Sequence, residues 1–276
     1  MVTYSSPGSA TDIGFALACG DGGRILVTGE VSNKTSQDLL VLQFTEAGDL
    51  DTRFGNSGVF TYGGPGMDRG FSVAVQPDGK ILVTGATVMN SRDDVLLIRI
   101  NPDGSMDRTF GNIGAVTYSS TGDAADYGNW VTVGDGGKIV VSGAATVSGA
   151  FDVLVLQFNA DGTPDTAFGD SGVIHYGDAG GKDDYGYAHV IQGDGKIVIA
   201  GYSQNRTSDE VLVVRFNRDG DPDTSFGLEG SVLWNGPGKR TDYGQGIALQ
   251  PDGRILVTGF TWHGNSEDLL LMRLIP

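Results

Sequence analysis

Short apolar runs separated by turn residues recur along the whole chain. The run Ile-Leu-Val-Thr-Gly at residues 25–29 has counterparts at residues 81–85, 139–143, 197–201 and 255–259. These runs are shorter than ordinary helices and lack the polar alternation of a half-exposed strand, so they predict strands covered on both faces. No segment carries a convincing helical period, and the sequence therefore predicts an all-β protein.

Two motifs divide the chain into five units. Asp-x-Gly opens each unit, and Asp-x-x-Phe-Gly follows in the first four units at intervals of about 58 residues. Four strand candidates lie in each unit between turns such as Gln-Pro-Asp-Gly at residues 76–79. Four short antiparallel strands per repeat are typical of a β-propeller blade.

The predicted fold is a five-bladed β-propeller with four antiparallel strands per blade and one domain over residues 1–276. The blades are expected at about residues 12–62, 68–118, 126–176, 184–234 and 242–276. The last unit ends before its fourth strand, while Met-Val-Thr-Tyr at residues 1–4 resembles the fourth strand Ala-Val-Thr-Tyr at residues 115–118. We therefore expect residues 1–4 to complete the fifth blade and close the ring.

Two strings carry a family resemblance: Pro-Asp-Gly-Lys-Ile-Leu-Val-Thr-Gly at residues 77–85 and Asn-Pro-Asp-Gly-Ser-Met-Asp-Arg-Thr-Phe-Gly at residues 101–111. The units resemble the delta-sixty type repeat of large bacterial, often secreted, proteins. This resemblance implies a β-propeller of bacterial origin and suggests a secreted or cell-surface protein, although no signal peptide is recognised in the sequence. It implies no activity and no catalytic residues.

The composition limits the classes of molecule that the protein is expected to bind. The net charge of −16 disfavours nucleic acid and anionic lipid, and no apolar run is long enough to predict insertion into a membrane. The single cysteine, Cys19, cannot form an internal disulfide, and its apolar surroundings predict a buried side chain. We expect a monomer whose partner is a small molecule or a glycan.

The candidate working face consists of the connections between strands two and three and between successive blades, because these vary most among the five units. Aromatic and amide residues concentrate there in the last three units, as expected for a surface that stacks on sugars and hydrogen-bonds to them. The predicted ligand-binding residues are Asn129, Trp130, Tyr187, Tyr202, Gln245, Trp262 and His263. The alternative is that the tyrosines pack between blades.

A carboxylate ring is a further candidate site. The Asp-x-Gly aspartates begin the inner strands, and converging carboxylates would hold a cation, with Ca²⁺ as the candidate cofactor. The favoured alternative is that each carboxylate binds main-chain N–H groups of its own turn. The residues concerned are Asp12, Asp68, Asp126, Asp184 and Asp242.

A hydrolase acting on small esters or glycosides is the alternative to a ligand-binding or interaction propeller. His263 or His189 would transfer the proton, with Asp184 assisting. His189 is a polar residue at an inner-strand position that is apolar in the other four units. Direct pairing of His189 with Ser72 is not expected, because their repeat positions differ by one residue and their blades are not neighbours.

Overall fold

The structure is a computed structural model of the chain. It describes residues 2–6, 11–32, 36–63, 66–89, 91–120, 125–177, 181–205, 207–238 and 240–275. The described residues form two compact units. The first unit comprises Met1–Val133 with Ala160–Thr163, and the second comprises Gly134–Asn159 with Pro164–Pro276.

The first unit contains nine strands, β1 to β9. The first four pair in chain order as one antiparallel sheet, and the next four pair in the same way as the second sheet. The strands are β1 Asp12–Cys19, β2 Ile25–Ser32, β3 Gln37–Phe44, β4 Val59–Tyr62, β5 Asp68–Val75, β6 Ile81–Met89, β7 Arg92–Ile100, β8 Ala115–Tyr118 and β9 Asp126–Val133.

The second unit contains ten strands, β10 to β19. Strands β10 to β12 pair in chain order, as do β13 to β16 in the fourth sheet and β17 to β19 in the fifth sheet. The strands are β10 Ile139–Val147, β11 Ala150–Phe158, β12 Val173–Tyr176, β13 Asp184–Ile191, β14 Ile197–Gln204, β15 Asp209–Phe216, β16 Ser231–Trp234, β17 Asp242–Leu249, β18 Ile255–His263 and β19 Ser266–Leu274.

The all-β class and the five antiparallel sheets are confirmed, and the five sheets match the five predicted blades. Among the described residues the only helical elements are two short 3-10 turns, Asp21–Gly23 and Asp135–Gly137. The second and third strands of each sheet extend further than the apolar runs. The two strands remain hydrogen-bonded to each other past the end of the apolar run. Tyr202, Trp262 and His263 therefore lie in strands and not in loops.

The N-terminal segment is in contact with the first sheet and is not assigned to a strand. Met1 is outside the described residues, and residues 2–4 form no strand. Tyr4 packs with Leu40 and Leu42 of the first sheet, and the Ser6 main-chain N–H donates to Asp12 at 2.9 Å. The fifth sheet has three strands among the described residues. A strand at residues 1–4, which the sequence predicts as the fourth strand of this sheet, is not among the strands assigned in the described residues.

Consecutive sheets pack face to face within each unit. In the first unit, Leu39 and Val41 of β3 are fully buried in one cluster with Val73, Ile81 and Val83 of the second sheet. The apolar runs have no polar alternation because each face of such a strand contacts a different neighbour.

The Asp-x-x-Phe-Gly motif builds a buried ion pair next to an aromatic ring. In the fourth sheet, Asp223 accepts a hydrogen bond from Arg215 Nε at 2.7 Å and another from Lys196 Nζ at 2.8 Å. The Arg215 guanidinium carbon lies 4.5 Å from the centre of the buried Phe226 ring. Arg99, Asp107 and Phe110 repeat the arrangement in the second sheet, so the motif is a scaffold element.

Candidate functional site

A β-bulge interrupts the inner strand of four sheets directly after the glycine of Asp-x-Gly. The residue that falls in the bulge has no partner in the register of the neighbouring strand, and three residue types occur among the four bulges. A bulge redirects a side chain and is frequent next to binding sites. The bulge residues are Phe15, Phe71, Tyr187 and Gln245.

A glycine of the second strand makes room for each bulge. A β-carbon on Gly201 would lie 1.7 Å from the main-chain oxygen of Tyr185, and one on Gly259 would lie 1.8 Å from that of Tyr243. Gly29 and Gly85 are in the same situation. The glycine that ends each of these four apolar runs is therefore required by the close approach of the inner strand.

Four tyrosines of the fourth and fifth sheets form a continuous aromatic patch, here called the tyrosine cluster: Tyr185, Tyr187, Tyr202 and Tyr243. The ring centres of Tyr202 and Tyr243 are 4.5 Å apart with an interplanar angle of 24°. Tyr185 stacks on Tyr202 at 5.8 Å, and Tyr187 lies 4.9 to 6.0 Å from the other three rings. All four side chains are half-buried, so part of the patch is open to solvent.

Two of the four tyrosines follow the repeat and two depart from it. Tyr185 and Tyr243 follow Asp in Asp-Tyr-Gly, as Tyr127 does in the first unit, where its hydroxyl donates to Asp93 at 3.1 Å. Across the five sequence repeats, no other repeat has a tyrosine at the position of Tyr187 or at the position of Tyr202. The scaffold therefore accounts for the first pair, and the second pair is specific to the fourth sheet.

Carboxylates border the tyrosine cluster. The Tyr243 hydroxyl donates to Asp209 Oδ2 at 2.9 Å, and Gln204 Nε2 donates to Asp209 Oδ1 at 3.2 Å. Burial, followed by the charges of Tyr185 and Asp209, raises the pKa of Tyr187 to about 12. Burial is also the main cause that raises the pKa of Tyr202 and Tyr243. All three hydroxyls are protonated at neutral pH, and the single proton of the Tyr243 hydroxyl is the one donated to Asp209.

The predicted ligand-binding residues divide between the two units. Asn129 is half-buried and Trp130 is exposed, and both lie on β9 of the first unit. The other five predicted residues belong to the second unit, where Tyr187 and Tyr202 meet in the tyrosine cluster. The contacts between the tyrosines of successive sheets agree with the alternative that tyrosines pack there, yet the rings remain partly exposed.

Three of the predicted residues lie on the fifth sheet. Gln245 is the bulge residue of β17 and is exposed. The Trp262 ring lies 5.9 Å from the Arg240 guanidinium carbon, and the exposed His263 has its Nδ1 atom 3.9 Å from Asp268 Oδ2. The rings that contact the tyrosine cluster are instead Phe260 and Phe151. Alignment of the repeats did not reveal the bulge, the contact of Phe260 with Tyr243, or the carboxylate Asp209 at the border of the cluster.

Asp-x-Gly aspartates accept hydrogen bonds from the connection that precedes their own strand. Asp126 accepts from the main-chain N–H of Ser120 at 2.6 Å and from its hydroxyl at 2.8 Å. Asp242 accepts from the Gly236 N–H at 2.6 Å. Over the described ranges, no group of three or more His, Cys, Asp or Glu side chains is arranged to hold a metal ion. Asp12, Asp68 and Asp126 belong to the first unit, and Asp184 and Asp242 to the second.

His189 is fully buried and has a partner that the sequence did not reveal. Its Nδ1 atom lies 2.7 Å from the Ser142 hydroxyl oxygen of β10, which is also fully buried. Burial lowers the pKa of His189 to about 3, so the imidazole is neutral at physiological pH. Ser72 instead accepts a hydrogen bond from the Val131 main-chain N–H within the first unit.

The groups proposed for hydrolysis do not meet. Asp184 and His189 lie on the same strand, β13, and both are buried, whereas His263 is exposed on β18. A proton-transfer group must reach the substrate, and His189 is closed off from solvent. Among the described residues, His189 is therefore not placed to transfer a proton to a bound substrate.

Comparisons with known proteins agree with the repeat structure. A family model described as "Domain of unknown function (DUF5122) beta-propeller" matches residues 23–54, 76–110, 137–168, 192–226 and 250–276, once in each of the five sequence repeats. The comparison with curated proteins gives no match. No helix of the described chain is long and apolar enough to span a bilayer.

Solved structures give distant similarities. The polysaccharide lyase Uly1 aligns with a TM-score of 0.48 and 12% identity over 93% of this chain and 56% of its own. A PQQ-bound aldose sugar dehydrogenase from Streptomyces coelicolor gives 0.46 and 13% over 96% and 81%. Drosophila Semaphorin 1b gives 0.41 and 10% over 94% and 65%. These similarities carry no inference about activity.

Proposed function

The chain belongs to the DUF5122 beta-propeller family, and on this scaffold we propose that the tyrosine cluster of the second unit binds neutral carbohydrate. The observation that carries the proposal is the pair of tyrosines that the repeat does not require. Tyr187 lies in a bulge that redirects its side chain, and Tyr202 joins it to the two repeat tyrosines. Together they form an open aromatic surface with a carboxylate at its border.

The chemistry of the patch suits a hydroxylated ring. The C–H face of a sugar packs against aromatic faces, and its hydroxyls exchange hydrogen bonds with carboxylates and phenol groups at the border. Asp209 and the protonated tyrosine hydroxyls supply acceptors and donors. The net charge of −16 and the neighbouring carboxylate disfavour phosphorylated or acidic sugars.

Two substitutions test the proposal with little risk to the fold. Tyr202→Ala introduces the residue that two other sequence repeats have at this position, Ala86 and Ala144. Tyr187→Gln introduces the residue that the fifth repeat has there, Gln245. A stacking contact contributes about 1 kcal/mol, which corresponds to roughly a fivefold loss of affinity per substitution.

The measurement is a glycan array of neutral mono- and oligosaccharides, followed by calorimetric titration of the hits. Leu233→Ala is the matched control, because Leu233 is exposed on the outermost strand of the same sheet. Binding that weakens about fivefold in each tyrosine variant and is kept in the control supports the proposal. Binding that is unchanged in both tyrosine variants, or absent for every neutral glycan, contradicts it.

A further inference from the structure

A second carboxylate borders the tyrosine cluster. Asp183 Oδ1 accepts a hydrogen bond from the Phe151 main-chain N–H at 2.9 Å, and the Phe151 ring lies 5.6 Å from the Tyr185 ring. The carboxylate next to Tyr243 is that of Asp209, which accepts the hydrogen bond from the tyrosine hydroxyl. Both aspartates are half-buried, so they keep contact with solvent. The aromatic surface is therefore bordered by one negative charge near Tyr185 and by another at Tyr243.

Asp183 is specific to the fourth sequence repeat. The residue before Asp-x-Gly is uncharged in the other four repeats, where it is Thr11, Met67, Ala125 or Thr241. Burial is the main cause of the raised pKa of Tyr202 and Tyr243. The charges of Asp183 and Asp209 add to this effect on the pKa, as expected for carboxylates close to the phenol groups. Asp183 thus adds a charge near the rings at a position where the scaffold does not require one.

The second sheet contains a carboxylate equivalent to Asp209, but that carboxylate has a cation as its partner. Asp93 occupies the same repeat position and likewise accepts a hydrogen bond from a tyrosine hydroxyl. It also forms an ion pair with Arg69 of its own sheet. The fourth sheet has Tyr185 at the position of Arg69, and the second hydrogen bond to Asp209 comes from the uncharged amide of Gln204. The fourth sheet thus keeps the carboxylate and has an aromatic ring in place of the guanidinium.

On the basis of the carbohydrate-binding role described above, we propose that the tyrosine cluster binds glycans with free amino groups more tightly than their neutral counterparts. The ammonium group would bind at the carboxylate border formed by Asp183 and Asp209, while the sugar ring packs against the tyrosines. A protonated amine brings N–H donors and a positive charge, which are the features that Asp93 obtains from Arg69. Acetylation of the amine removes its charge, so an N-acetylated glycan lacks this advantage.

Three matched tetrasaccharides test the preference. They are derived from cellulose, chitin and chitosan, and they differ only in whether each ring carries a hydroxyl, an acetamido or a free amino group at one position. Calorimetric titration at low salt, at a pH where the amine is protonated, should show the amino ligand binding roughly tenfold tighter than the hydroxyl ligand, which corresponds to about 1.4 kcal/mol. The acetamido ligand should show no such gain. Added salt should reduce the ratio by screening the charges.

Asp183→Asn removes the charge of one border carboxylate and keeps a side-chain oxygen for the Phe151 N–H. It should lower the affinity ratio of the amino ligand to the hydroxyl ligand by at least about threefold, because hydrogen bonds to charged groups are stronger than those to neutral ones. Asp194→Asn is the matched control. It makes the same change of charge in the exposed turn that joins β13 and β14, at the far end of these strands, and should leave the ratio as in the unmodified chain.

A preference for the amino ligand that Asp183→Asn reduces and Asp194→Asn preserves supports the proposal. Equal affinities for the amino and hydroxyl ligands overturn it, and so does a preference that Asp183→Asn leaves unchanged. In both cases the broader carbohydrate-binding role stands if Tyr202→Ala weakens binding of the hydroxyl ligand. Failure of all three ligands to bind contradicts both proposals.

Discussion

The buried histidine His189 should make the unfolding free energy fall as the pH is lowered from about 6.5 to about 3. A leucine at the same position would not contribute to this pH dependence. Its pKa falls from 6.5 to about 3 on burial, so the unfolded chain binds one more proton than the folded protein between these values. The contribution of neutral His189 to the unfolding free energy is therefore fully present above about pH 6.5, and it is lost as the pH falls through this range.

The magnitude follows from proton linkage. In the middle of this range each pH unit removes about 1.4 kcal/mol of unfolding free energy. Between about pH 7 and pH 5, a histidine that titrates at 6.5 only in the unfolded chain removes roughly 2 kcal/mol. Carboxylates elsewhere add their own acid sensitivity, but the difference between the unmodified protein and a His189 variant isolates this contribution.

His189→Leu is the informative substitution because Leu17 occupies the same repeat position in the first sheet. The Ser142 hydroxyl is then expected to donate to a carbonyl oxygen of its own sheet, as the Thr84 hydroxyl donates to Leu96 at 2.9 Å. The volume is nearly conserved, so the change near pH 7 should be within about 1.5 kcal/mol.

Urea unfolding at the two pH values measures the effect, with the fluorescence of the three tryptophans as the reporter, among which the half-buried Trp234 packs against the core of the second unit. Ser142→Ala is the control: it leaves the imidazole in place with one partner removed, so it should lower stability by about 1 to 3 kcal/mol near pH 7 and keep the pH dependence. Equal losses of stability between the two pH values in the unmodified protein and in His189→Leu would refute the reasoning.

Three further predictions rest on single positions. Gly201→Ala should destabilise the second unit by more than about 3 kcal/mol, because its β-carbon would overlap a main-chain oxygen at 1.7 Å, whereas Gly193→Ala, with open space around it, should be nearly neutral in thermal melts. Arg215→Ala should cost about 3 kcal/mol by removing one partner of the buried carboxylate Asp223, and a change below about 1 kcal/mol in urea titrations would contradict this. Cys19 is exposed, contrary to the sequence expectation, so a thiol reagent should label it in the folded protein, and labelling only after denaturation would contradict the structure.

Most of the strand pattern was accessible from the sequence because local chemistry repeats in it. The four short outer strands, β4, β8, β12 and β16, have the boundaries that the repeat comparison predicts, and each inner strand begins at its Asp-x-Gly aspartate. Tyr187 and Tyr202 were also identified by comparing units, since a residue that departs from an internal repeat stands out without any structure.

Other features depend on contacts between residues far apart in the sequence. The partner of His189 is Ser142, 47 residues away, and repeat alignment alone does not show which neighbour faces an inner-strand side chain. The bulge at Tyr187 is equally invisible, because one residue of slippage between two strands leaves no mark in the apolar pattern.

The sequence by itself therefore determined the strands, their turns and the number of sheets, all of which follow from local hydrophobic runs and turn residues. The tertiary structure alone decided which rings meet in the tyrosine cluster and that Ser142 is the partner of His189. These depend on the packing of one sheet against another, which is a property of distances between chain segments and not of the order of residues along them.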